Sequence, residues 1–195
     1  MLHGRGGNET DLEWLADKIP SPWSPHLLRA PLSLGAGFEW FRAPEGSLGL
    51  MCSDVRPAAD SVLRWIDQNA ADRRVAVLGY SQGGAVALQV LRRAPERVEF
   101  VVTLAGFTTT DTETGDAELA RRRPPVFWGR GARDTVIPDT DIARMREFLP
   151  EHVALEERVY AHADHWISVE MAADAQRFIR LSRDRSMQAT DPLDR

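Results

Sequence analysis

Ser81 lies between glycines in Gly79-Tyr80-Ser81-Gln82-Gly83, the pattern G-x-S-x-G. The pattern alone is common; its position gives it meaning. It follows the apolar run Val75–Gly79 and precedes GAVALQV, so it marks a strand-to-helix turn, the setting in which a serine acts as a nucleophile. At so tight a turn the serine takes strained backbone angles, and glycines two residues away leave room for the neighbouring strand and helix. The hydroxyl is then aimed over the carboxyl edge of the sheet, and the N–H groups of the following helix face any negative charge that develops. The bland alternative is a glycine-rich turn that only packs helix on strand.

A serine hydroxyl needs a base to take its proton, normally histidine. Of the 5 histidines, His3 precedes the nucleophile, His26 opens the apparent strand HLLRAP, and His152 begins the apparent strand VALEERVY. His162 and His165 lie between the last strand and the last helix. The chain order serine, acid, histidine favours His165, which immediately precedes that helix. The acid is expected after the preceding strand PVFWG, where GARDTVIP carries Asp134. A carboxylate there accepts the N–H on the far side of the imidazole and fixes its tautomer. Asp139 and Asp141 are rivals, but they follow Pro138 and read as acids of a helix's first turn. Acyl transfer also needs N–H donors for the developing oxyanion. The backbone N–H of Gln82, next after the serine, is one candidate. The other is that of Arg5 in His3-Gly4-Arg5-Gly6-Gly7, a stretch that could otherwise be an ordinary glycine-rich turn.

The elements that must position these residues alternate along the chain. DVRPAADSVLRWIDQNA has near-helical apolar spacing, with Asp54 as its cap. VAVLG is a strand buried on both faces, GAVALQVLRR a helix, EFVVTLA and PVFWG further buried strands. DTDIARMREFL is a helix, VALEERVY a strand, and SVEMAADAQRFIRL a closing helix. Strand, helix, strand, helix predicts an α/β fold: a mostly parallel sheet with helices on both faces and no large cap domain. Residues 106–124 are polar and Thr-rich and read as an excursion over the sheet's carboxyl edge. A single domain is expected over residues 1–181, followed by a polar, flexible tail over 182–195.

Composition narrows the function. The 195 residues hold 24 Lys and Arg against 29 Asp and Glu, a formal charge of −5, which disfavours a nucleic-acid partner. The basic cluster Arg121–Arg123 reads as a solvated patch. With one cysteine, Cys52, neither a disulfide framework nor a multi-thiolate metal site can form. No run approaches the ~18 apolar residues of a membrane span, and the start MLHGRGGNETD has no signal-peptide pattern. A cytoplasmic protein without stable membrane insertion is therefore expected.

LHGRGGNETDL, APLSLGAGFEW, GYSQGG, GARDTVIP and HWISVE, in that order, resemble the phospholipase/carboxylesterase family of the α/β-hydrolase fold. The resemblance implies a compact esterase acting on a small-molecule carboxylic ester, with Ser81, Asp134 and His165 as triad and the amides of Arg5 and Gln82 as oxyanion donors. It also places Trp40 near the acyl pocket, where it could equally be a packing aromatic. It implies no metal and no organic cofactor. In the family a full apolar strand precedes the HG loop, whereas here Met1 and Leu2 alone stand before His3. The sheet is thus expected to lack its N-terminal strand: the start codon is misplaced or the gene truncated, or the sheet closes differently, or another chain supplies the strand. An exposed sheet edge would favour a homodimer. Short- to medium-chain esters are the expected substrates, with lysophospholipids or thioesters as variants. An acyltransferase or perhydrolase using the same triad, and a non-catalytic ligand-binding scaffold, are the competing readings.

Overall fold

The computed structural model of the protein describes residues 1–42 and 51–189. Its centre is a four-stranded parallel sheet in the order β3-β4-β5-β6, formed by β3 (Val75–Tyr80), β4 (Val98–Leu104), β5 (Pro125–Gly131) and β6 (Ala154–Tyr160). The short apolar runs read as buried strands are β3, β4 and β5, of which β4 and β5 are sealed on both faces, while VALEERVY supplies the half-buried β6. After the one-turn helix α1 (Glu13–Ala16), helices α2 (Cys52–Asn69), α3 (Gln82–Arg93) and α5 (Asp139–His152) and the closing helix α6 (Val169–Ala189) complete the α/β alternation.

Two apolar cores flank the sheet. Val77, Val101, Val126 and Trp128 point into the first, with Val62 and Ile66 of α2, Val86 and Val90 of α3, and Met145 and Leu149 of α5. Leu78, Phe100, Val102 and Phe127 point into the second, closed by Met171, Ala175, Phe178 and Ile179 of α6. The period of two along each strand assigns alternate residues to the two faces. Burial on both sides explains why the inner strands β4 and β5 read as continuous apolar runs.

Several expectations are corrected. HLLRAP forms no strand: Leu28 makes an isolated parallel bridge to Leu2 and nothing longer. The segment before α2 holds a hairpin, β1 (Leu32–Leu34) and β2 (Gly37–Glu39), turned at Gly35 with φ of 58°. A glycine opening a two-residue connection suits such a turn because positive φ costs it little. Helix α2 starts at Cys52, and the Asp54 carboxylate caps it from within its first turn, accepting the Met51 N–H at 2.8 Å. The Thr-rich excursion contains α4 (Asp116–Arg122). The cluster Arg121–Arg123 is exposed, as expected of a solvated patch, and Arg123 also ends α4 in the left-handed conformation and donates to the carbonyls of Pro150, Glu151 and Val153. His152 ends α5 instead of opening β6. Helix α6 continues to Ala189, past the end expected at Leu181, because no glycine or proline interrupts SRDRSMQA; residues 190–195 of the expected tail lie outside the described residues. Among the described residues, no helix is long and apolar enough to cross a membrane.

Candidate active site

Ser81 stands at the junction of β3 and α3 with φ 52° and ψ −117°, outside the ordinary region for a residue with a side chain. Its N–H is held by the Leu104 carbonyl at 2.8 Å, and its own carbonyl accepts from Gly84 and Ala85, starting α3 at once. The flanking glycines are required by contact. A Cβ on Gly79 would fall on the Gly83 backbone, and one on Gly83 would fall on the carbonyls of Leu2 and His3. The G-x-S-x-G pattern therefore lets three stretches of backbone touch beneath the serine.

His165 and Asp134 come to this point from the two loops that leave β6 and β5. The loops are sewn together by backbone bonds from Ala132 N–H to Tyr160 O and from Arg133 N–H to Ala163 O, both 2.9 Å. His165 Nε2 lies 2.9 Å from Ser81 Oγ, and His165 Nδ1 lies 2.8 Å from Asp134 Oδ2. A carboxylate only accepts, so Nδ1 carries the hydrogen and the Nε2 lone pair faces the serine hydroxyl. The other oxygen of Asp134 accepts the N–H groups of Val136 and Ile137 at 2.8 and 3.1 Å, which fixes the carboxylate. The Asp134 side chain is 3% exposed and that of His165 14%, so the line is shielded from solvent. Tyr80 packs against the imidazole with ring centroids 5.4 Å apart. Burial, reinforced by the charges of Asp134 and Asp164, pushes its phenol up to about 12 and keeps it neutral.

The rival residues lie elsewhere. His162 contacts the Arg133 guanidinium, while Asp139 and Asp141 begin α5 and Asp141 pairs with Arg144. Arg5 sits in the loop that passes the serine, and among the described residues no backbone carbonyl takes up the N–H of Arg5 or Gln82. Trp40 is 3% exposed; its indole donates to His3 O at 2.8 Å and its backbone N–H to Gln82 Oε1 at 2.7 Å.

That last contact belongs to a tether the sequence did not announce. Gln82 also donates from Nε2 to Phe41 O at 2.7 Å. Glu39, 2% exposed in side chain, receives Arg5 Nε at 2.9 Å. Gly6 N–H donates to Phe38 O and Phe38 N–H to Gly7 O, both 2.8 Å. His3 accepts the Ala30 N–H at Nε2 and faces Gly4 O with Nδ1, which defines a neutral tautomer. Burial lowers its pKa, keeping it so. The β1–β2 hairpin thus clamps the Arg5 loop against the start of α3. Its only sequence signal is LSL-GA-GFE, two short apolar-containing runs joined by a glycine turn.

A parallel sheet with this strand-to-helix serine, faced by an acid and a histidine from the next two strand-end loops, defines an α/β-hydrolase. The sequence pattern of the phospholipase/carboxylesterase family matches residues 55–183, and the chain belongs to that family. It is 31% identical over 107 residues to a pimeloyl-[acyl-carrier protein] methyl ester esterase of Neisseria meningitidis serogroup C, covering 55% of this chain and 36% of that protein. It is 27% identical over 119 residues to acyl-protein thioesterase 1 of Kluyveromyces lactis, covering 58% of this chain and 52% of that protein. The chain therefore spans a third to a half of the length of these curated relatives. The crystal structure of the Bacillus cereus carboxylesterase superposes with a TM-score of 0.79 at 20% identity, over 93% of this chain and 86% of that one, and shares the fold.

Proposed function

We propose that the protein is a serine carboxylesterase that cleaves short- to medium-chain carboxylic esters through an acyl-enzyme on Ser81. The observation that carries this reading is the continuous line Ser81 Oγ, His165 Nε2, His165 Nδ1, Asp134 Oδ2, both contacts at hydrogen-bonding distance. His165 takes the serine proton as Oγ bonds to the ester carbonyl carbon. The carbonyl oxygen becomes an oxyanion facing the amides of Arg5 and Gln82. As the intermediate collapses, the bond to the leaving oxygen breaks and His165 returns the proton to it, releasing an alcohol. Water, deprotonated by the same imidazole, then attacks the acyl-serine; the carboxylic acid departs and Oγ recovers its hydrogen. Asp134 holds the imidazole and stabilises its charged form throughout.

The substrate class rests on the rim. Trp166, 71% exposed, follows His165 and stacks on Tyr80 at 6.4 Å, with Val136 and Val169 exposed on the adjoining loop and helix. These apolar groups suit a modest hydrocarbon portion of the ester, and Trp40 is assigned to the floor of the acyl pocket. A thioester is the second reading, favoured by the similarity to the Kluyveromyces lactis acyl-protein thioesterase. Steady-state rates with p-nitrophenyl esters from acetate to palmitate, and with matching thioesters, test both. The expected optimum lies at short to medium acyl length. Oxygen esters left intact at every length would contradict the carboxylesterase reading, and faster thioester turnover would favour the second.

A further inference from the structure

The Gly4–Arg5 peptide passes beside the nucleophile: a Cβ on Gly4 would lie 3.6 Å from Ser81 Cβ. The carbonyl of this peptide is taken up twice, by His3 Nδ1 at 2.7 Å and by Gly7 N–H at 3.2 Å. A trans peptide is planar, with N–H opposite to C=O, so these bonds also set the direction of the Arg5 N–H. Both partners belong to the same loop. They orient the peptide within it and leave open its distance from α3, where the Gln82 N–H stands.

The ties that set that distance run to the end of β2. Arg5 Nε donates to Glu39 Oε2 at 2.9 Å, between the backbone bonds of Gly6 and Gly7 to Phe38. The next residue, Trp40, donates its N–H to Gln82 Oε1 at 2.7 Å. The dipeptide Glu39-Trp40 therefore holds the Arg5 loop with one residue and the start of α3 with the other. Stability does not explain a carboxylate at this place. The Glu39 side chain is 2% exposed, while those of its partners Arg5 and Arg42 are 49% and 81% exposed, the latter at 3.9 Å. Burying a carboxylate is costly, and attraction to guanidinium groups that stay in water offsets little of that. Trp40 and Phe41 beside it are buried and apolar, and a further hydrocarbon side chain would hold the hairpin at least as firmly. Hydrocarbon cannot supply a directed, charge-assisted contact to one atom of Arg5.

We propose that Glu39 is a positioning residue: its carboxylate, acting through the Arg5 guanidinium, sets the spacing between the amides of Arg5 and Gln82 and aims both at the oxyanion. The proposal rests on the esterase reading above. Glu39 touches neither the ester nor a reacting atom. Its effect falls on the step in which the carbonyl oxygen gains charge, so it speeds turnover without tightening the binding of the ester.

The test compares Glu39→Leu, Glu39→Gln, Arg5→Met and the double variant Glu39→Leu/Arg5→Met in the full chain. The substrate is p-nitrophenyl butyrate and the probe an alkyl trifluoromethyl ketone. Ser81 Oγ adds to the ketone carbon, its proton passes to His165, and the former carbonyl oxygen is left as an oxyanion. Glu39→Leu should lower kcat about 10–100-fold with KM within about twofold of the parent. It should weaken the ketone by a similar factor and leave the melting temperature unchanged or higher. Glu39→Gln, which still offers an oxygen to Arg5 Nε, should recover most of the loss, and the double variant should be no slower than Glu39→Leu alone. Parental kcat and ketone affinity in Glu39→Leu would overturn the proposal. So would a loss that Glu39→Gln does not recover, that multiplies with Arg5→Met, or that follows a lowered melting temperature. A parent protein that hydrolyses no ester and binds no ketone would instead contradict the esterase reading, and the positioning role with it.

Discussion

At the scale of single residues, the serine's strained backbone is stabilised by its surroundings. A φ of 52° at Ser81 costs of order 1–3 kcal/mol, offset by the backbone bond from Leu104 and by the close packing of Gly79, Gly83 and the Leu2–His3 chain. Gly83→Ala should therefore destabilise the protein by about 3 kcal/mol or more, since the intruding methyl meets backbone that cannot rotate away. Urea denaturation checks this, and an unchanged midpoint would contradict it. The Gln82 side chain has a structural role apart from the oxyanion contact proposed for its backbone N–H. It joins Trp40 and Phe41 to the start of α3, so Gln82→Ala keeps the N–H but frees the clamp. The expected result is a loss in kcat of up to about 10²-fold, as for other misplacements near a reacting centre. It should come with a lower melting temperature from the unsatisfied Trp40 N–H. Unchanged turnover would mean that the hairpin does not position the Arg5 loop proposed to bind the oxyanion.

At the scale of elements, buried polar anchors hold the segments around the sheet. Arg92, 1% exposed in side chain, pairs with Asp116 at 2.7 Å and so fixes α4 and the loop before it to α3. Asp116→Ala should cost about 3–5 kcal/mol because it removes the carboxylate that balances a buried guanidinium, which Thr109 and the Asp111 carbonyl hold in place; calorimetry or urea titration reads this directly. The strands β3 to β5 were legible because each is a short apolar run bounded by turn residues, and β6 as the alternating run VALEERVY. Ser81, Asp134 and His165 were legible as candidates because each follows the carboxyl end of a strand. The β1–β2 hairpin and α4 were not, since three-residue strands and a seven-residue helix carry too few apolar positions to show a period. HLLRAP has the composition of a strand, but only Leu28 finds a backbone partner. The links from Glu39 to Arg5 and from Gln82 to Trp40 join distant positions, and no local pattern encodes them.

At the scale of the whole molecule, the two buried basic groups near the chain start give stability a pH dependence. The Met1 ammonium, ordinarily near 8.0, is pushed down to about 5 by burial, and burial also lowers His3. Between about pH 5 and 8 the unfolded chain binds more protons than the folded one, so their stabilising effect is complete above pH 8 and is lost as pH falls toward 5. Urea midpoints should accordingly decline from pH 8 to 5.5; a midpoint that rises on acidification would contradict this. The fold brings together a serine, an acid and a histidine from three strand ends, so the esterase reading depends on whether that serine is chemically activated. A fluorophosphonate probe tests this most directly, followed by intact-mass analysis and peptide mapping. The account predicts a single adduct on the Ser81 peptide, absent in Ser81→Ala and after heat denaturation, and strongly slowed in His165→Ala. Folded protein that stays unlabelled, or that is labelled equally well without Ser81, would contradict it.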